Sequence, residues 1–537
     1  MKKMLFFLGL TLCHAITFAQ FKTIAEGPVF VEPEDGFARI LQLKNGNTMF
    51  VVISLKSGLD IKIYDAKHKQ KTARHLGPKF GKLKSGQIEA IFESNGNAVF
   101  LISEMDNKTP VLYRLIVDGV SGTLKKEETI AELLPLSMKH GYAMAFGKVP
   151  PPSFYVKKDP LTDNYAVALF NSFESDRNKR IEVIMFGPDH NELSRAYYKS
   201  PEDKYKYMKY IDMAIIDAQT VDILAYAYNT RTSGGDENTL VLAELKKGAG
   251  EVGLYELEFA RNLEIDRGVV KYNPITKQLI MLAFVAESDK RNAKYFTSLV
   301  LIDPARKKVD AVNAVYPHKA NEKSQELFGR RNEFEGKPQN FFINPDGTFS
   351  VVYEELEIIT RQYSTAVGGG YASSNTELKH IAVSTFDLKG KEINCYFIPK
   401  EHFLMQMDPR TFYHAHREGT AARLAAGDQF KSFAYVNGKD KIYVLFNDVE
   451  ENEKRALKGK LTNIKGVSEC DGFYYTLEGN NTLPPREFLF GKPEKDRDHN
   501  LVLFAVSDYD QEKNVYVTLK LSVEGNRKGV RLVWMEP

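Results

Sequence analysis

Phe342-Ile343-Asn344-Pro345-Asp346-Gly347-Thr348-Phe349 reads as the end of one strand, a tight turn and the start of the next. Asn and Asp side chains hydrogen-bond their own backbone two residues on, Pro presets φ, and Gly accepts the positive φ that closes such a turn. The apolar run 349–353 therefore begins a strand. The pattern recurs as Asn45-Gly46 before 49–53, Asp159-Pro160 before 165–170, Asn273-Pro274 before 279–285 and Asn437-Gly438 before 442–446. After a variable stretch a second apolar strand follows and stops at Asp or Gly. Such a strand pair cannot bury both faces alone, so its repetition along one chain predicts small sheets set side by side around an axis, an all-β β-propeller.

Laid out from these pairs, the blades fall at 39–76, 88–134, 153–200, 208–259, 268–315 and 339–399, and 430–534 holds one long blade or two short ones. Seven blades are expected, with eight as the alternative. A strand at 27–31 is expected to complete the last blade and close the ring, which removes open sheet edges. Each unit exceeds the roughly 40 to 50 residues of common propeller repeats, so the excess belongs in loops. The strongest insertions are 365–377, with Gly368-Gly369-Gly370, and 400–428, where a helix is expected at 418–426. No Pro/Ser linker or composition shift divides the 537 residues, so 20–537 reads as a single domain. The competing division is two β-rich domains parted at the polar segment 320–337.

The stretch 342–349 resembles the repeat signature of the periplasmic propeller of the Tol system, in which a Pro-Asp-Gly turn leads into an apolar strand. Asn273-Pro274 keeps the Asn-Pro and loses the Asp-Gly. The resemblance implies propeller topology and carries no functional residues. WD, Asp-box and kelch repeats want a Trp in most blades; this chain has one, Trp534, and matches them poorly.

Residues 1–19 read as an export signal: Lys2 and Lys3, an apolar stretch over 5–16, and Thr17-Phe18-Ala19 before Gln20. The apolar stretch is shorter than the roughly 20 residues a bilayer span needs. Large Leu12 before Cys13, and an apolar run that continues past it, argue against a lipid anchor. In composition the segment is similar to signal peptides of Bacteroidota envelope proteins. The chain thus reads as a secreted propeller that resembles those of Bacteroidota type, periplasmic or at the cell surface. Losing Lys2 and Lys3 takes the formal charge from +3 to +1 with both signs interspersed, which excludes a nucleic-acid footprint. No later segment is long or apolar enough to span a membrane. Cys395 and Cys470 could close one disulfide or stay as two buried thiols.

Candidate chemistry is sparse. His414-Ala415-His416 has the spacing at which an extended segment aims two imidazoles the same way, with His402 near in sequence, but no acidic or Cys partner stands at a metal-site offset. Gly368-Gly369-Gly370 and Gly234-Gly235 lack the Lys-Ser/Thr of a phosphate cradle and read as hairpin tips. Glu355 and Glu357, following Glu354, would share one strand face and form a carboxylate pair if they lined a channel. Tyr205, Tyr207 and Tyr210, or Phe473, Tyr474 and Tyr475, could present a contact surface, although strand alternation puts half of each cluster in the core. No nucleophile-elbow, zincin or cysteine-nucleophile motif occurs. No catalytic residue, metal or cofactor is therefore expected. The leading expectation is a non-catalytic propeller, monomeric as a fold, whose loops bind a protein partner in the cell envelope. The alternative is a hydrolase or lyase on glycans or peptides that uses carboxylates or histidines at the channel mouth.

Overall fold

The computed structural model describes residues 21–537 apart from 32, 34–35, 55, 78–85, 148, 199–203, 230–237, 260–262, 288–294, 365–369, 406–410, 418, 424–430, 432 and 480–481. The export signal with Cys13, the 233–236 turn with its glycine pair, and Gly368-Gly369 lie outside these residues.

Eight antiparallel sheets follow one another around a ring. Their innermost strands, blades 1 to 8 in order, are Phe37–Gln42, Gln87–Ser94, Ser153–Lys158, Tyr207–Ile216, Leu263–Asn273, Gly336–Ile343, Phe433–Asn437 and Asp498–Asp510. Middle strands such as Tyr165–Phe170 and Ile181–Phe186 are buried at every position, because each blade is covered on both faces by its neighbours. Blade 3 packs Ala168, Val183 and Met185 on Met213, Ile223 and Val241 of blade 4. Blade 6 likewise packs Val352 and Ile381 on Val444 and Phe473 of blade 7. The first choice of seven blades is corrected to eight. The stretch 430–534 holds two sheets, one of which has only three strands of its own and borrows its fourth from the N-terminus.

That borrowed strand closes the ring. Lys22–Glu26 pairs antiparallel with Arg527–Glu536, from Lys22 opposite Glu536 to Glu26 opposite Val533. The expected closing strand at 27–31 lies one strand-length too late; of it, Gly27 N–H donates to Leu532 O at 2.8 Å and Phe30 bridges Val530. The sole tryptophan seals the join: Trp534 is fully buried among Tyr64, Leu501 and Leu519, and its Nε1–H donates to Thr48 Oγ1 at 2.9 Å.

Antiparallel order sends the turns between first and second, and between third and fourth, strands to one face of the ring. The Asn and Asp turns gather there. Asp65 and Asp387 each accept two backbone N–H bonds at 2.9 Å. The opposite face receives the second-to-third hairpins and the blade-to-blade connections, and these carry the helices: α1 (Met138–Gly147), α2 (His318–Phe328), α3 (Tyr413–Arg417) and α4 (Asn452–Ala456). The long hairpin of Phe349–Ser364 with Gly370–Phe386 rises on that face too. One face is thus tightly stitched, and the other is free to carry a site.

Segment 320–337 falls between blades 5 and 6 of this ring and overlaps α2, which buries Ala320 and Ser324. Of the helix expected at 418–426, positions 418 and 424–426 lie outside the described residues; within the rest, Ala422–Arg423 pairs as a strand with Phe37 and Ala38, and the helix before it, α3, spans Tyr413–Arg417. Gly419 O accepts the Ile91 N–H, so bonds to other blades override local helix preference. Cys395 and Cys470 are buried free thiols, and burial pushes the Cys395 thiol up to about 12. Among the described residues no helix is long and apolar enough to cross a membrane.

One buried acid sets a stability prediction. Asp222 of blade 4 faces Glu244 across the sheet, and neither of its buried carboxylate oxygens has a hydrogen-bond partner. Burial pushes its pKa up to about 7, against about 3.9 in an unfolded chain. Between these values the folded state binds more protons than the unfolded one, so stability falls as pH rises from 4 to 7 and stays low above. Asp222→Asn is expected to raise stability at pH 8 by at most ~4 kcal/mol, and with it the melting midpoint, and to leave both nearly unchanged at pH 4. Calorimetric melts at the two pH values check this; equal gains at both would refute it.

Candidate functional site

Five innermost strands carry a β-bulge, the device that re-aims side chains near functional sites. In Gln87–Ser94 the register jumps between Ile88 and Ala90, which leaves Glu89 as the extra residue. In Tyr207–Ile216 it jumps between Tyr210 and Asp212. Further bulges fall at 265/267, 338/340 and 503/508. Each interrupts a regular ladder where the strand passes the ring axis.

Two cavities, about 1020 and 1100 Å³, lie along that axis, walled by innermost strands of blades 1 to 5 and 8. Glu89, Phe154, Tyr155, Tyr210 and His416 border both. His416 arrives on a strap formed by residues 411–417 and 419–423 of the 400–428 insertion. Phe412 N–H donates to Pro338 O of blade 6 at 2.8 Å, α3 follows, and Gly419 and Ala422 then tie to blades 2 and 1. The strap crosses from one side of the ring to the other and carries an imidazole inward.

The junction is suited to proton transfer. Burial pushes the Glu89 carboxyl up to about 7, partly offset by the Ser103 hydroxyl, which donates to Oε1 at 2.5 Å. Near neutrality Glu89 exchanges readily between donor and acceptor forms. His416 is solvent-accessible within the channel yet ringed by protein. That enclosure holds its pKa below 6.5; the Asp212 carboxylate opposes the shift while Lys157 and Arg267 reinforce it. The imidazole is therefore neutral at pH 7 and able to accept a proton. Tyr155 and Tyr210 stack with ring centroids 3.8 Å apart and form an aromatic wall. Burial, and then Asp212, raises the Tyr210 phenol well above 10, so it stays protonated and donates to Asp212 Oδ1 at 3.2 Å. Asp212 also receives Lys157 Nζ at 3.0 and 3.1 Å and the Val270 N–H at 2.8 Å. Its oxygens are spent on holding the wall.

The residues singled out from sequence fare unequally. His414 and His416 sit on α3, where a two-residue step turns about 200°. His414 accordingly stacks on Phe433 beside a different cavity. His402 is fully buried with both ring nitrogens 2.8 Å from the carbonyls of Lys431 and Asn447, and it holds the insertion's root. Among the described residues no three His, Cys, Asp or Glu side chains converge as a metal site. Glu355 and Glu357 do share a face, but they line a separate cavity of about 640 Å³ at the edge of blade 6, around Lys379. Glu354 turns the other way to Lys400 at 2.6 Å. Phe473, Tyr474 and Tyr475 are all core, as are Tyr205 and Tyr207. Of these aromatics Tyr210 alone reaches the channel. Glu89 and Asp212 carry no sequence signal, because a bulge leaves no mark in a single sequence, and Tyr155, on a regular strand, reads like any other strand aromatic.

No known family model matches the chain, and no curated protein matches it in sequence. Solved structures similar to it include a polysaccharide lyase, Uly1, at 8% identity over 96% of this chain and 99% of that one, with a TM-score of 0.37. A GH43 endo-arabinanase from Bacillus licheniformis matches at 9% identity over 52% and 100%, TM-score 0.25. A protein of unknown function from Bacteroides caccae matches at 13% over 51% and 80%, TM-score 0.26. The leading expectation of a non-catalytic, protein-binding scaffold is corrected at this point. The similar structures include one named as a polysaccharide lyase and one named as an arabinanase. Likenesses this distant carry no mechanism, so the channel residues must.

Proposed function

We propose that the protein cleaves glycosidic bonds at the junction of the two axial cavities. The observation that carries this reading is Glu89: a bulge residue with a carboxyl near pKa 7, which borders both cavities together with neutral His416 and the Tyr155–Tyr210 stack. A sugar ring laid against the tyrosines presents its glycosidic oxygen to Glu89, which donates a proton to the departing oxygen. His416 takes a proton from the attacking water, whose oxygen bonds to the anomeric carbon as the glycosidic bond breaks. The Asp212 carboxylate beside His416 favours the imidazolium that forms. A cavity on each side of the junction gives room for sugar units on both sides of the bond.

The test is release of reducing ends from a panel of neutral and acidic polysaccharides. His416→Ala is expected to slow release about a hundredfold. Absence of reducing ends with every substrate, or full rate in His416→Ala, would overturn the proposal. We further propose, from residues 1–19, that this activity is exported. A mature protein beginning at Gln20 is the expected outcome of N-terminal sequencing, and retention of Met1 would contradict it.

A further inference from the structure

On its blade 4 and blade 5 side the cavity of about 1020 Å³ is walled by Tyr226, Tyr228 and Glu264, none of which borders the other axial cavity. Tyr226 and Tyr228 are alternate residues of the strand Thr220–Tyr228 and so face one way, with ring centroids 6.1 Å apart. Tyr226 is only 6% exposed, and among the described residues its hydroxyl has no hydrogen-bond partner. Burial, and then the Glu264 carboxylate, raises this phenol, so it stays protonated and is a buried donor without an acceptor.

The rest of the charged lining is engaged. Lys209 Nζ donates to Asp266 O at 2.7 Å and to Ile265 O at 3.4 Å. Arg267 Nε lies 3.9 Å from Asp266 Oδ2 and has further partners, as does Glu104. Glu89 accepts from the Ser103 hydroxyl. Glu264, exposed near the start of Leu263–Asn273, is left as the lining charge with no ion pair or hydrogen bond among the described residues. A carboxylate attracts an ammonium group, the faces of tyrosine rings attract it as well, and a phenol O–H donates to a sugar oxygen.

We propose that this end of the cavity is a subsite for an amino-sugar unit with a protonated nitrogen. Glu264 holds the ammonium, the Tyr226 and Tyr228 rings flank the sugar, and the Tyr226 hydroxyl donates to one of its oxygens. An uncharged sugar would leave Glu264 unpaired, and a uronic acid would set two carboxylates against each other. The inference rests on the glycan reading, which it narrows to polymers that contain unacetylated amino sugars.

Calorimetric titration of the full Glu89→Gln chain at pH 6, in which cleavage does not consume the ligand, compares three tetrasaccharides. These are β-1,4-linked glucosamine, its N-acetylated form and cellotetraose. The glucosamine tetrasaccharide is expected to bind about tenfold more tightly than either uncharged one. Adding Glu264→Gln is expected to abolish that preference and to leave the affinity for cellotetraose and the melting curve unchanged, since the side chain is exposed. Adding Tyr226→Phe is expected to weaken all three alike. Equal affinity for the three, a preference that survives Glu264→Gln, or no binding of any would overturn the subsite. Displacement of the sugar by ethanolamine at equal concentration would also overturn it, because any small ammonium would then suffice. Reducing-end release from a neutral polysaccharide by the wild type reads Glu89 and His416 without the ammonium contact, so failure of the subsite is distinguishable from failure of the cleavage proposal.

Discussion

Glu89→Gln is expected to lower kcat on a cleaved glycan by about 10²–10⁴-fold with KM little changed. The amide has the carboxyl's shape and can still accept from the Ser103 hydroxyl, but it has no acidic proton to give. The wild-type pH profile carries the same signature. Activity needs Glu89 protonated and His416 neutral, so it should fall on the alkaline side around pH 7 and on the acid side below 6.5. In Glu89→Gln the alkaline limb should vanish from whatever rate remains. Steady-state kinetics from pH 4 to 9 on both proteins checks this; a variant with the wild-type rate and profile removes Glu89 from the chemistry. Glu89 sits in a bulge without a tight backbone turn, so loss of fold is not the expected cause of lost rate, and a melting curve verifies that.

The second large effect concerns ring closure. Deleting residues 21–26 strips Lys22–Glu26 from the last blade and exposes the edge of Arg527–Glu536, a row of unpaired N–H and C=O groups ready to pair with another chain. Aggregation, or a lower denaturation midpoint with a broadened transition, is the expected result. Trp534→Ala isolates the packing part: it empties the largest buried side chain in the ring and orphans Thr48 Oγ1, at an expected cost of about 3–5 kcal/mol. The Glu26 pairs with Lys520 and Arg531 are partly exposed and add little. Because Trp534 is the sole tryptophan, its fluorescence reads the join directly. The deletion should shift its emission to the red before global unfolding; an unshifted spectrum and unchanged midpoint would mean that the ring does not depend on this strand.

The fold was largely legible because its determinants are local. Asn45, Asp159, Asn273 and Asn344 mark turns through bonds to their own neighbours, and the apolar runs after them are buried strands as read. The blade count was harder, since the last sheet is assembled from both ends of the chain and its closing strand is matched by register at a distance. The site was nearly illegible. Glu89 gains its chemistry from Ser103 in the same blade and from burial against blades 3 and 4, none of it encoded near residue 89. His416 was noticed for the wrong reason: its spacing from His414 suggested a pair on an extended segment, and the helix sends the two rings into different cavities. Tyr210 was seen as part of a cluster whose other members are core. The aromatic wall itself is shared: two tyrosines from adjacent blades build it together.

The most direct measurement is a crystal structure of Glu89→Gln soaked with an oligosaccharide of the polysaccharide that the wild type degrades. The expected result is a sugar chain across the junction of the axial cavities, one ring against Tyr155 and Tyr210, with a glycosidic oxygen within hydrogen-bond distance of the residue 89 side chain and His416 on the opposite flank. A chain bound at the edge of blade 6, or on the stitched face of the ring, with the junction empty, would contradict the account.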